Sequence, residues 1–234
     1  EAHTALGIAT FILDRDHPTA EASLLRGIAL NPSSSSAHGQ YGYFLTLHAR
    51  KAEAFRELDR AVELDPRSST YLIIRAISGT FLTEPERALQ DAQRALQLEP
   101  EAWFAWMVIA MNEFQKGKVA EALRDIDKAT ASGSSHALAC KGYFLGRSGR
   151  KEDAARVLAT LEEMRQSGKG FVSPTNLAYV QLGLGQEAEA LKNLQLSETL
   201  REESAVGMKV DPFLSSLRAK PEFRSLLEKI RMSP

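Results

Sequence analysis

The side chains best able to do chemistry in this chain are five histidines, one cysteine and a few neighbouring carboxylates. His3, His17, His38, His48 and His136 contain no His-x-x-x-His and no Glu-x-x-His pair, the separations that put two ligands on one helical face, so no metal site is expected. Asp14-Arg15-Asp16 brings two carboxylates together at a helix turn, where capping by Asp16 accounts for them. Cys140 is the only cysteine, which excludes an internal disulfide and any cysteine-based metal cluster. It lies among Ala137, Ala139 and Gly142 with no assignable basic partner, the setting of a small packing residue rather than a nucleophile. No Gly-x-Gly-x-x-Gly, Gly-x-x-x-x-Gly-Lys-[Ser/Thr] or Gly-x-Ser-x-Gly pattern occurs. Gly168-Lys169-Gly170 is basic and glycine-rich but too short to cradle a phosphate, and reads as a loop. The sequence therefore offers no catalytic, cofactor-binding or metal-ligating set, and a segment that is not an enzyme is expected.

The elements that would position a site are legible from an interval. Pro32, Pro66 and Pro100 stand 34 residues apart, each after a run ending Ala-Leu-Asn, Glu-Leu-Asp or Gln-Leu-Glu. Twelve residues earlier stand Ala20, Ala54 and Ala88, and five earlier Gly27, Ala61 and Ala95, so small residues recur wherever two helices must approach. A helix pair of this length cannot bury its own apolar face and must stack on another. Lysine and arginine number 29 against 30 acidic residues, with no segment gathering one sign, which argues against nucleic acid as a partner. The longest stretch free of charged side chains, Gly27 to Ala49, contains Asn-Pro-Ser-Ser-Ser-Ser and cannot span a bilayer.

These residues resemble the tetratricopeptide repeat (TPR). A fourth unit carries Trp106, Ala110, Gly117, Ala122 and Ala129, with Ser134 where the proline would fall. A fifth carries Gly142, Leu145, Gly149 and Ala154, and a sixth Ala178, Gly185 and Ala190. The resemblance implies an all-α, right-handed TPR superhelix, a single solenoid over 1–234 with units at about 1–34, 35–68, 69–102, 103–134, 135–172 and 173–210 and a cap at 211–234. In such a stack the first helix of each pair lines the concave wall. That wall would show Gly39, Tyr43 and Leu47, then Ile73, Ile77 and Phe81, then Phe104, Met107, Met111 and Phe114, then Tyr143 and Arg147, and last Asn176 and Tyr179. Some TPR domains clamp a terminal carboxylate with lysine, arginine and asparagine at these positions. Here only Asn176 and Arg147 resemble such groups, so an amphipathic helix or extended apolar peptide suits the wall better.

Local signals place the element ends. The first pair is expected over Ala2–Asp14 and Pro18–Leu30, and the second is expected to turn at Ala49-Arg50-Lys51. Ser33 to Ser36 reads as an inter-repeat turn with a serine cap, and Thr83-Glu84-Pro85-Glu86 as a capping box led by Thr83. The extension from Gln166 to Ser173, ahead of Pro174, is expected to change the superhelical pitch. Asp211-Pro212 and Lys220-Pro221 should each open a short helix. Phe223, Leu226, Leu227 and Ile230 supply one apolar face for a terminal cap.

Phe171-Val-Ser-Pro174, Leu182-Gly-Leu-Gly185, Met208-Lys-Val-Asp-Pro212 and Leu217-Arg-Ala-Lys-Pro-Glu-Phe-Arg224 are similar to the closing segment of TPR regions in multidomain bacterial signalling proteins. Those regions are joined to a class III adenylate or guanylate cyclase, a ToxR/CadC-type winged-helix regulator or a Ser/Thr kinase. Asn193 stands where many such regions have an aromatic residue. The resemblance implies a non-catalytic interaction or sensor module of a larger protein, without cofactor. It implies a protein or peptide partner, on a separate chain or on the same one, and no membrane insertion. A free-standing assembly scaffold or co-chaperone-like adaptor is the alternative. The cytoplasm is the expected compartment, with the periplasmic side of a membrane-anchored regulator as the other.

Overall fold

Ala20, Ala54, Ala88, Ala122, Ala154 and Ala190 are all fully buried, each where the second helix of a pair crosses the first. A larger side chain at any of them would hold the two backbones apart, so their recurrence is what allows the pairs to close. The computed structural model describes residues 1–168 and 170–232. Lys169 of the glycine-flanked loop and Ser233 and Pro234 of the cap lie outside the described residues.

Six antiparallel pairs follow in order: α1 (Ala2–Ala9, continued by a π turn over Thr10–Asp14) with α2 (His17–Leu30), α3 (Ser35–Leu47) with α4 (Lys51–Leu64), α5 (Ser69–Phe81) with α6 (Pro85–Leu98), α7 (Trp103–Gln115) with α8 (Val119–Thr130), α9 (Ser135–Arg147) with α10 (Lys151–Ser167), and α11 (Pro174–Leu184) with α12 (Glu187–Thr199). A short α13 (Glu203–Val206), a 3-10 turn (Pro212–Leu217) and α14 (Pro221–Lys229) follow among the described residues. The described residues form an all-helical solenoid without strands.

Two local devices repeat through it. Ser34, Ser68, Ser134 and Ser173 cap α3, α5, α9 and α11, each hydroxyl accepting from a backbone N–H two or three residues on, while Ala102 leaves α7 without a side-chain cap. Asp16 caps α2 in the same way, through the Thr19 N–H. Within each pair the chain turns through one left-handed residue: Arg15, Ala49 and Thr83 in the first three, Gly117, Gly149 and Gly185 in the last three. Thr83 is therefore the turn residue and not a cap. Its hydroxyl donates to the Leu82 carbonyl, Glu84 occupies the cap position without a side-chain bond, and the expected capping box does not form.

Buried side-chain hydrogen bonds join successive inner helices. Thr46 Oγ1 donates to Ser78 Oγ at 2.8 Å between α3 and α5, and Asn112 Nδ2 to Thr80 Oγ1 at 2.9 Å between α7 and α5. Between α9 and α11 no side chain intervenes at Gly146 and Gly183. A Cβ on Gly183 would lie 2.8 Å from the Tyr143 carbonyl oxygen, and one on Gly146 would strike the Gly183 backbone, so these helices touch backbone to backbone.

After α12 the chain turns back across the inner side of the stack. Arg201 Nη1 donates to the Leu13 carbonyl at 2.7 Å and Arg15 Nη2 to the Glu202 carbonyl at 3.2 Å, tying this return to the first pair. It then passes Leu47 at Gly207 and seats Phe213 against Tyr143, Phe144 and Tyr179, with ring centroids 4.5, 5.9 and 4.9 Å away. Phe223, Leu226, Leu227 and Ile230 are all buried as α14 packs on α12, where Lys220 Nζ pairs with Glu187 at 2.5 Å. Burial at this level contributes roughly 2 kcal/mol per large apolar side chain.

Candidate binding site on the concave wall

The inner helices and the returning segment border a half-open cavity of about 620 Å³. One wall comes from α3, α5, α7, α9 and α11, the other from Glu202, Glu203, Ser204, Gly207, Asp211 and Phe213. Of the residues expected on the concave wall, Tyr43, Ile77, Phe81, Phe104, Met107, Met111, Asn176 and Tyr179 line it. Spacing by three and four places them on one face of each inner helix, and stacking brings the faces together.

The remaining six are placed elsewhere. Ile73 packs with Leu72, Ala76 and their neighbours between repeats. Phe114 stacks on Phe144 with centroids 4.4 Å apart, and Tyr143 lies beneath Phe213. Arg147 is exposed and apart from the cavity. Of the two further inner-face positions, Gly39 faces Tyr71, and Leu47 is buried beside a small cleft against α1. A carboxylate clamp from Asn176 and Arg147 together is not assembled.

The cavity has two ends of different character. Toward α5 and α7 it is apolar, with Met107 and Met111 only 4% and 5% exposed and Phe104 more open, stacked on Trp103. Toward α9, α11 and the returning segment it is polar. His136 Nδ1 donates to Asn176 Oδ1 at 3.1 Å, Asn176 Nδ2 to Ser135 Oγ at 3.0 Å, and Ser135 Oγ to the Phe171 carbonyl at 2.7 Å. That directed chain puts the imidazole proton on Nδ1 and leaves Nε2 an acceptor. Burial lowers the His136 pKa, so the ring is neutral near pH 7.

Asp211 accepts from the Tyr179 hydroxyl and, at 2.8 Å, from the Phe213 N–H as the cap of the 3-10 turn. Burial pushes its carboxyl up to about 6, against the opposing effect of those bonds and of Arg218. The same burial, with Asp211 nearby, raises the Tyr179 phenol and the Cys140 thiol well above their ordinary values. Glu202 Oε2 accepts from Ser173, Ser197 and Ser204 at 2.5, 2.8 and 3.4 Å, so those hydroxyls are spent on a carboxylate. Among the described residues lining the cavity no hydroxyl bonds a histidine nitrogen, the contact a nucleophile and its base require. The arrangement can hold a molecule; it has no activated nucleophile among these groups. Cys140 is buried packing between helices.

Sequence reasoning missed Trp103, Ser135, His136, Phe171 and the whole returning segment. The available signal was composition. Ala205, Val206, Met208, Val210, Phe213, Leu214 and Leu217, all buried, are too many apolar side chains for a linker.

The fold is that of a TPR solenoid. Solved structures of the same fold include a tetratricopeptide repeat protein from Parabacteroides merdae, with a TM-score of 0.65 at 14% identity over 98% of this chain and 82% of that one. PilW, a type IV pilus biogenesis factor, gives 0.60 at 15% identity over 92% and 96%, and Pseudomonas aeruginosa PilF 0.59 at 17% over 89% and 94%. No family model matches the chain and no curated protein matches it by sequence. Among the described residues no helix is long and apolar enough to cross a membrane, and no group of three or more metal-ligating side chains is assembled.

Proposed function

We propose that this chain is a non-catalytic protein-binding module whose concave wall holds an apolar protein segment. The observation that supports this reading is that the wall already holds one. The stretch from Glu202 to Phe213 lies along the inner helices as a bound peptide would, with Phe213 seated among three aromatic rings. A partner on another chain would compete with this internal segment for the same wall. The likeness of the C-terminal motifs to TPR regions of bacterial signalling proteins favours a regulatory module in the cytoplasm, joined to a cyclase, winged-helix or kinase domain. The assembly-scaffold reading draws support from PilF and PilW, whose chains match over more than nine-tenths of their length. A photo-crosslinking amino acid at Phe104, which is exposed and lines the cavity, tests the wall directly. Adducts with a partner or with the returning segment are expected from Phe104 and not from Leu98 on the outer face. Adducts from Leu98 alone would overturn the proposal.

A further inference from the structure

We infer that the cavity is a binding site for a small organic amine, a molecule with an aromatic or aliphatic body and a single protonated nitrogen. The inference goes beyond the protein-binding reading and does not rest on it.

Size comes first. The returning segment lies across the wall, so what stays open is a half-open cavity of about 620 Å³. That lies within the roughly 300–1,000 Å³ typical of small-molecule sites, which bury an apolar body and orient it by a few polar groups. The body has its place between Ile77, Phe81, Met107 and Met111.

Charge selects the head group. Three carboxylates, Glu202, Glu203 and Asp211, line the space, and no lysine or arginine does. The one imidazole there is kept neutral by burial and offers a lone pair at Nε2, which has no partner among the described residues. The nearby guanidinium groups act from behind the wall: Arg218 bonds the Asp211 carbonyl at 3.2 Å, and Arg15 the Glu202 carbonyl. The ionisable groups that line the polar end are therefore acidic in excess, with the Nε2 lone pair beside them. A ligand ammonium supplies N–H donors and a compensating charge, whereas a carboxylate would meet three of its own kind. Aromatic rings of Trp103, Tyr43 and Phe213 line the same space.

Tryptamine and indole-3-propionate share a ring and a two-carbon arm and differ in the sign of the head group, so titration calorimetry of the full chain with each is the test. Tryptamine is expected to bind at least tenfold more tightly than the acid near pH 7. Glu203→Gln, at an exposed position outside the core, should weaken tryptamine several-fold, and Asp211→Asn, which keeps a capping side chain, should do so too. Neither change should alter the binding of uncharged 3-ethylindole, which separates loss of charge from loss of the cavity. Equal or tighter binding of the acid, no saturable binding of tryptamine, or an affinity unmoved by both substitutions would each overturn the assignment. So would binding of lysine-bearing peptides when no free amine binds. None of these results bears on the cross-links from Phe104.

Discussion

The first three helix pairs and the last three solve the same packing problem with different residues. Arg15, Ala49 and Thr83 make the left-handed turns of the first half, where a side chain costs about 1–2 kcal/mol in that conformation, whereas Gly117, Gly149 and Gly185 make those of the second without that cost. Inner helices of the first half meet through hydrogen-bonded side chains, Thr46 with Ser78, and Thr80 carries the same kind of bond across to Asn112 on the first inner helix of the second half. In the second half α9 and α11 come into backbone contact at Gly146 and Gly183, beside side-chain bonds from Asn176 to His136 and Ser135 at their N-terminal ends. The first half thus keeps its inner helices spaced, and the second draws its last two together beneath Phe213. The difference shows that the approach of successive inner helices is set where side chains are absent as much as where they interlock.

The most damaging way to erase the contrast is to put a side chain at that glycine contact. Gly183→Leu would drive Cβ into the Tyr143 backbone, which cannot rotate away, and a loss of about 3 kcal/mol or more is expected from denaturant unfolding. Gly142→Ala should cost less, because its Cβ meets side-chain methyls of Val180 and Val157, which can shift. Equal losses at the two positions would mean that the α9–α11 crossing is not rigid.

Acid should separate the halves. His17 is buried in the first half beside His48 and Phe11, with His48 Nε2 3.1 Å from its Nδ1. Burial, then the nearby His48, lowers the His17 pKa from 6.5 to about 4. Because the folded pKa lies below the unfolded one, the unfolded chain takes up the proton first. Stability is full above about pH 6.5, falls as pH drops toward 4, and falls no further from this group below it, for a loss of roughly 2–3 kcal/mol. Asp211 has the opposite sign. Its folded pKa of about 6 exceeds the ordinary 3.8, so its contribution improves as pH falls through that interval. Hydrogen exchange resolved by segment should show α1 to α3 losing protection between pH 6.5 and 4 while the contact of Phe213 with α9 and α11 holds. His17→Phe should remove most of the acid loss, and an unchanged acid profile in that variant would assign it elsewhere.

The smallest effect concerns the turns. Thr83→Gly relieves a β-branched residue at φ 59°, offset by the entropy of glycine, and a gain of about 0.5 kcal/mol is expected in the unfolding midpoint. A loss would show that the bond from Thr83 Oγ1 to the Leu82 carbonyl outweighs the strain.

Much of the scaffold was legible without coordinates because its causes are local. Proline interval, buried alanines and serine caps each act within one or two helices, and they placed the pairs close to where they lie. The site was legible in part for the same reason. Periodicity put Tyr43, Ile77, Phe81, Met107, Met111 and Tyr179 on inner faces, since a helical face depends on spacing alone. Phe114 and Tyr143 carry the same periodicity, yet rings at 144 and 213 claim them, a choice that involves partners at other heights in the stack. Thr83-Glu-Pro-Glu misled because a threonine before proline and glutamate fits either a cap or a turn, and the left-handed backbone chose the turn.

By itself, the sequence determined a stack of helix pairs, their approximate limits, an apolar inner stripe and a capping helix. Helix period, capping and small-residue contacts are short-range and are written into neighbouring positions. Only the tertiary structure decided that Glu202 to Phe213 returns across the wall to the first pair, that the stripe becomes one side of a half-open cavity, and that His136, Asn176 and Asp211 share its polar end. Those contacts join residues up to 188 positions apart, as Arg201 does with Leu13, and they follow from the accumulated curvature of the whole stack. No single repeat encodes that curvature.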